Sequence, residues 1–178
     1  RSEEVLPLVY RRKSRREIAV SASAARTDKV LVTGGAGFIG SHVCERLCQE
    51  ERDVVVLDNL STGNRDNLAD LDLTFIEGSV AELTDVKKAM VGCSKVVHLA
   101  ALPSVSRSLK QPLDTHEACA TGTVNVLQVA SHNGARVIYA GSSSVYGNQS
   151  ELHKHERLRE DPRSPYAAAK LAGELYCR

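Results

Sequence analysis

Apolar residues in this chain come in short solid runs, separated by longer stretches of mixed polarity. Val30-Leu31-Val32, Val54-Val55-Val56-Leu57, Leu73 to Ile76, Lys95 to Leu99 and Arg136 to Ala140 are brief and largely β-branched, which predicts five strands. Helical spacing fills the gaps between them. Phe38, Ile39, Val43 and Leu47 follow the first run. Thr84 to Val91 offers Val86, Ala89 and Met90 to a sheet, and Pro112 to Asn133 forms a long segment with Val124, Leu127 and Val129 among its apolar positions. Asn133-Gly134 is a stop signal for that segment, and a shorter helical candidate lies around Arg65 to Ala69. A last helix starts with Ser164 as N-cap, Pro165 in the first turn and three alanines after Tyr166. Strand and helix alternating in this way predict an α/β fold, a doubly wound parallel sheet of the Rossmann type.

The first strand-to-helix turn carries the clearest chemistry. In Lys29 to Ser41, KVLVTGGAGFIGS, the strand ends in Gly34, Gly37 and Gly40, and a helix begins at once. Residues without a Cβ let backbone N–H groups approach a pyrophosphate, and the helix N-terminus adds partial positive charge at the same point. The second strand ends in Asp58, roughly twenty residues on, where a carboxylate would accept hydrogen bonds from the adenosine ribose hydroxyls. Asp58 would repel a 2′-phosphate, so the expected cofactor is NAD and not NADP. Further expected contacts are Phe38 and Ile39, the turn-rich loop Asn59, Ser61, Thr62 and Gly63, then Ser79 and Val80 at the adenine edge. Leu99, Ala100 and Ala101 end the fourth strand, where small side chains would let the nicotinamide side come close.

Composition narrows the setting. A length of 178 residues allows one well-filled domain, and a formal net charge of +1 gives no argument for nucleic acid or anionic membrane. No apolar run approaches the roughly twenty residues of a membrane span. The 5 cysteines are scattered, which fits reduced thiols and a cytoplasmic location. Cys44 and Cys48 share a helix face and are expected in the core, His153 and His155 in a solvated loop, and no metal site is expected. Residues 1–28 differ from the rest. Arg11-Arg12-Lys13, Arg15-Arg16 and a Ser/Ala stretch suggest a mobile arm, with organellar targeting weakened by Glu3, Glu4 and Glu17, ahead of a dinucleotide-binding domain over 29–178.

The acid–base candidates come late in the chain. Gly141-Ser142-Ser143-Ser144 lies at the carboxyl end of the fifth strand, where open parallel sheets place their ligands. Tyr166 and Lys170, four apart on one helix face, follow. An ammonium near a phenol, joined by the charge of an oxidised nicotinamide, favours phenolate. Tyr166 could then take a proton from a substrate hydroxyl while Ser142 holds that hydroxyl.

TGGAGFIGS, LDNLSTGN, VVHLAALPSVSRS, SSSVYG and SPYAAAKLAGELYC, in this order, resemble the extended short-chain dehydrogenase/reductases. The similarity is strongest to the NAD-dependent nucleotide-sugar 4-epimerases, and it runs from about Asp28 to the last residue. It implies reversible oxidation at C4 of a UDP-hexose, through a 4-keto sugar, with NAD kept bound. Tyr166 would be the base, Lys170 would hold the nicotinamide ribose, and Ser142 would share the proton transfer. Ser104, Ser106, Arg107, Ser143 and Ser144 would bind the sugar nucleotide. Relatives are commonly homodimers through the long helix and the Tyr166 helix.

Three positions depart from the family pattern. Ser79 stands where an Asp commonly receives the adenine amino group, Cys119 where an Asn orders the backbone near the nicotinamide, and Gly141 where serine is usual. Family members exceed three hundred residues, so this chain is expected to be either an amino-terminal part or a truncated protein that holds a dinucleotide but lacks the substrate domain, which puts activity of the chain alone in doubt. Ser143-Ser144 replaces the acidic pair of the related 4,6-dehydratases, which disfavours dehydration. A uronate epimerase or decarboxylase, and a non-catalytic NAD-binding module, are the competing readings.

Overall fold

The computed structural model describes residues 29–151 and 153–178. The arm expected over 1–28 lies outside the described residues. Five strands form one parallel sheet in the order β3-β2-β1-β4-β5: β1 Val30–Thr33, β2 Val54–Asp58, β3 Thr74–Glu77, β4 Lys95–His98 and β5 Arg136–Tyr139. Val30 pairs with Val54 on one side and Lys95 on the other. β1 is therefore central, and it and β2 are buried along their whole length. Solid apolar runs read as doubly covered strands for this reason.

Each face has its own core. On one, Leu31, Val55, Leu57 and Val96 meet Val86, Ala89 and Met90 at α2 (Leu83–Ala89), and Val126, Val129 and Ala130 of α5 (Gly122–Asn133). On the other, Val30, Val32, Val54 and Val56 meet Cys44 of α1 (Phe38–Gln49), with Val43 and Leu47 packed alongside. Each fully buried Val or Leu contributes about 1.5–3 kcal/mol by leaving water. Cys44 and Cys93 are part of these cores. Burial pushes their thiols up to about 12 and about 11 respectively, which leaves them inert packing groups.

Phe38 and Ile39, expected as cofactor contacts, are 81% and 66% exposed at the start of α1, while Gly40, Ser41 and Cys44 turn inward. Several expectations need correction. The Arg65 to Ala69 candidate is a single 3₁₀ turn, Arg65–Leu68, capped by Asn64. Leu73 lies just outside β3. The long helix is a continuous helical run in three parts: α4 Pro112–His116, a π-helical turn Glu117–Thr121, then α5. Val124 points outward, and Val126 takes the core position. A short helix α3, Val105–Lys110, was hidden by its serines; Ser104 caps it by accepting the Arg107 N–H at 3.1 Å. The last helix, α6, spans Pro165–Cys177, with Ser164 accepting the Ala167 N–H at 3.1 Å as expected.

A buried polar chain links β1, β4 and the π turn. Thr123 Oγ1 donates to the Cys119 carbonyl at 2.6 Å, so it has no proton left for His98 and must accept from His98 Nε2–H at 3.0 Å. His98 Nδ1 is then the acceptor for the Thr33 hydroxyl at 2.6 Å, and Thr33 Oγ1 in turn accepts the Ala100 N–H at 3.3 Å. Every donor points the same way. His98 is therefore a neutral Nε2–H tautomer, and burial, reinforced by the nearby Lys170 charge, lowers its pKa to about 3.

The unfolded chain protonates this histidine below about pH 6.5, whereas the folded one stays neutral until about 3. Stability is thus fully retained above the upper value and falls as the pH drops through that window. Urea unfolding should show the decline between pH 7 and 4.5. His98→Gln should flatten its slope and cost roughly 1–3 kcal/mol at pH 7 by leaving buried partners unmatched.

Candidate functional site

The carboxyl ends of β1, β2, β4 and β5 open onto one cleft of about 710 Å³, within the range of small-ligand sites. Gly34, Gly37, Phe38, Ile39 and Gly40 form its floor. Gly34 has φ +72°, and a Cβ there would meet the Ala100 nitrogen at 2.8 Å. A Cβ on Gly40 would collide with the Gly34 carbonyl. The turn can therefore close only with glycines, and that closure leaves a shallow backbone cradle. No side chain caps α1, so its first turn faces the cleft uncapped. An anionic group fits there.

Asp58 closes the side of this cradle. Its carboxylate is 8% exposed; Oδ2 accepts the Ala36 N–H at 2.9 Å and Oδ1 accepts the Leu60 N–H at 2.8 Å. Each oxygen keeps a lone pair for a further donor. Asn59, Ser61 and Thr62 line the cleft beside it. Gly63 does not, because it is packed beneath the Ala36 backbone.

Ser79 and Val80 form the opposite wall. The Ser79 hydroxyl accepts the Ala81 N–H at 3.2 Å, and Asp85 accepts the Ser79 N–H at 3.0 Å, so this turn is held from below. Asn125 of α5 donates to the Val80 and Ala81 carbonyls at 3.0 and 2.9 Å, tying the wall to the long helix.

Leu99, Ala100, Ala101, Tyr166 and Lys170 converge at the other end. Lys170 is only 4% exposed, and its ammonium lies 4.1 Å from the centroid of the Tyr139 ring. Burial lowers its pKa. Burial also raises that of Tyr166, while the Ser142 hydroxyl beside the phenol pulls it the other way and Cys119 raises it further. Desolvation is the largest influence on the phenol here, and the expected favouring of phenolate depends on the charge of an oxidised nicotinamide as well as on Lys170.

Of the expected substrate residues, Arg107 lines the cleft, whereas Ser104 and Ser106 cap and bond within the start of α3. Ser142 caps a 3₁₀ turn, Ser143–Tyr146, by accepting the Ser144 N–H at 3.2 Å. Ser142, Ser143 and Ser144 all stand off the cleft lining, which Ala140 and Gly141 supply at that point. A polar wall was missed altogether. Gln111, Asp114 and Glu117 line the cleft from α4 and the π turn; their spacing of three, a polar stripe along one face, was the available signal. Among the described residues no cluster of His, Cys, Asp or Glu could hold a metal ion.

Comparison with known proteins agrees with this geometry. A curated UDP-glucose 4-epimerase of Mycolicibacterium smegmatis is 38% identical over 156 residues, covering 83% of this chain and 50% of that protein. The crystal structure of the Thermus thermophilus UDP-glucose 4-epimerase in complex with NAD superposes with a TM-score of 0.78 at 37% identity, covering 83% of this chain and 49% of the other. DesIV, a dTDP-glucose 4,6-dehydratase of Streptomyces venezuelae, superposes with a TM-score of 0.77 at 36% identity, over 83% and 49%. The chain spans about half the length of these relatives. Residues 30–178 match the NAD dependent epimerase/dehydratase family along their whole extent, and the chain belongs to that family.

Proposed function

We propose that residues 29–178 bind NAD and carry the acid–base residues for reversible oxidation at C4 of a UDP-hexose, the reaction of a nucleotide-sugar 4-epimerase. The observation that carries the reading is the meeting of Tyr166 and Lys170 with Ala100 and Ala101 at one end of a cleft whose other end is a glycine cradle beside Asp58. An adenosine diphosphate half fits over Gly34 to Gly40, with its ribose on Asp58 and its base between the Asn59 loop and Ser79-Val80. The nicotinamide half extends to Lys170. When bound, NAD supplies the hydride acceptor and donor and a positive charge that offsets the desolvation of the phenol.

The chain's own residues then divide the work. Tyr166 takes the proton of the C4 hydroxyl, and the Ser142 hydroxyl beside it steadies the departing proton. Lys170 adds a cationic group at the end of the cleft, positioned for ribose hydroxyls. Tyr166 returns the proton when the C4 carbonyl is reduced on its opposite face. Elimination of water from C5 and C6 would need an additional acid and base; next to Ser142 stand only the hydroxyls of Ser143 and Ser144. This separates the proposed reaction from that of the dehydratase relative. Arg107, on the cleft wall, is placed for a substrate phosphate.

We assign the chain to the cytoplasm, a reading supported by cysteines that all stand as free thiols. No helix among the described residues is long and apolar enough to cross a membrane. A second copy is the proposed protein partner, through α4, α5 and α6, where Leu113, Val124 and Leu175 are exposed.

In the full-length protein, Tyr166→Phe should leave NAD affinity within about twofold and reduce C4 epimerisation of UDP-galactose or UDP-N-acetylgalactosamine roughly 10²–10⁴-fold. Binding of NAD without turnover by the unaltered full-length protein would favour a non-catalytic module instead. Asp58→Asn should weaken NAD about 10-fold or more, by loss of charge-assisted hydrogen bonds worth ~1.5–3 kcal/mol, and narrow the preference over NADP. Fluorescence titration with both dinucleotides measures this, and an unchanged preference would remove Asp58 from the ribose site.

A further inference from the structure

We propose that Tyr139 is a positioning residue that holds Lys170 by both its backbone and its ammonium, and so sets where the cleft's buried cation stands; the inference rests on the reading of Tyr166 and Lys170 given above. Tyr139 is the last residue of β5 and its side chain lies against α6. Its hydroxyl donates to the Lys170 carbonyl at 3.1 Å, while its ring lies beneath the same residue's Nζ at 4.1 Å. One aromatic side chain thus grips both ends of one lysine.

Room for this grip is specifically provided. A Cβ on Gly173, one turn along α6, would collide with the Tyr139 hydroxyl. From behind, the His98 ring stands 5.7 Å from Tyr139 at a 40° tilt, itself fixed by Thr33 and Thr123. Burial raises the Tyr139 phenol above its ordinary value, so it remains a protonated donor at working pH.

The counter-partner of a buried ammonium is usually a carboxylate. Here the titratable groups facing Lys170 are Cys119 of the π turn, Cys177 of α6 itself and His98 of β4, none of them an anion near neutrality. No ion pair to Lys170 occurs among the described residues. The negative face of the Tyr139 ring takes that place. The difference matters chemically: a carboxylate would occupy the N–H donors and cancel the charge, whereas a ring face stabilises the cation and leaves its donors free for ligand hydroxyls.

The test is a titration of Lys170 in the whole chain, labelled with ¹³C at lysine Cε, with the Lys170 signal identified by its loss in Lys170→Arg. Tyr139→Phe keeps the ring and should leave the midpoint within about 0.3 pH unit. Phenylalanines of increasing ring fluorination at position 139 keep the shape and weaken the ring face. They should lower the midpoint stepwise, by about 0.5–1 pH unit at the highest fluorination, as expected for a cation–π contact of this kind. NAD affinity should fall in parallel, roughly threefold to tenfold. A midpoint indifferent to fluorination, or shifted as far by Tyr139→Phe as by the fluorinated rings, overturns the proposal. Failure of the unaltered chain to bind NAD would instead overturn the functional reading, and the lysine titration would still decide the role of Tyr139.

Discussion

Parallel pairing of β1 with β2 on one side and β4 on the other is the constraint on which everything else in this molecule depends. In register, Thr33 lies level with Leu57 and His98, so the residues that follow each strand emerge together at one edge of the sheet. Gly34, Asp58 and Ala100 belong to three separate stretches of sequence, and this pairing alone makes them neighbours. An antiparallel neighbour on either side would send one of them to the far edge. The cleft is thus a consequence of strand direction first and of side-chain chemistry second.

Most of that frame was legible in the sequence, because it is written in local terms. A solid β-branched run, a glycine turn and a helix start are decided within about ten residues, and Ser164-Pro165 starts α6 as its residue types require. Features set by distant partners were not legible. Phe38 and Ile39 share the apolar spacing of Val43 and Leu47, yet only the latter two pack against the core, and the former stand exposed at the cleft. His98 is one histidine in an apolar strand until Thr33 and Thr123, 65 and 25 residues away, give each ring nitrogen its role. The serines after β5 carry a second duty that their spacing does not reveal. The Ser142 hydroxyl accepts the Ser144 N–H of its own turn, and Ser104 accepts the Arg107 N–H of α3 in the same way.

The cation end of the cleft is organised with little formal charge. Lys170 is buried against a ring, a neutral imidazole and thiols, and the groups around it are ordered by hydrogen bonds that run in one direction from Ala100 to Cys119. Such an arrangement is rigid without being neutralised. Tyr166 shares this desolvated setting, and Cys119, buried one turn from Thr123, belongs to the same packed cluster as Ala169 and Tyr166. A substitution at Cys119 would therefore be felt through packing before it was felt through proton chemistry.

The π-helical turn at Glu117–Thr121 carries a consequence of its own. One extra residue in a helix advances the following side chains by about 100° around the axis. Gln111 and Asp114 can therefore face the cleft while Val126, Val129 and Ala130, farther along the same rod, face the sheet. The bulge works as a phase shifter between two faces that an ideal helix would hold in a different rotational relation. Removing a single residue from it would swing Gln111 and Asp114 round relative to the sheet-facing positions and disturb the packing of Cys119 and Ala120, which makes chain length at this point as consequential as residue identity.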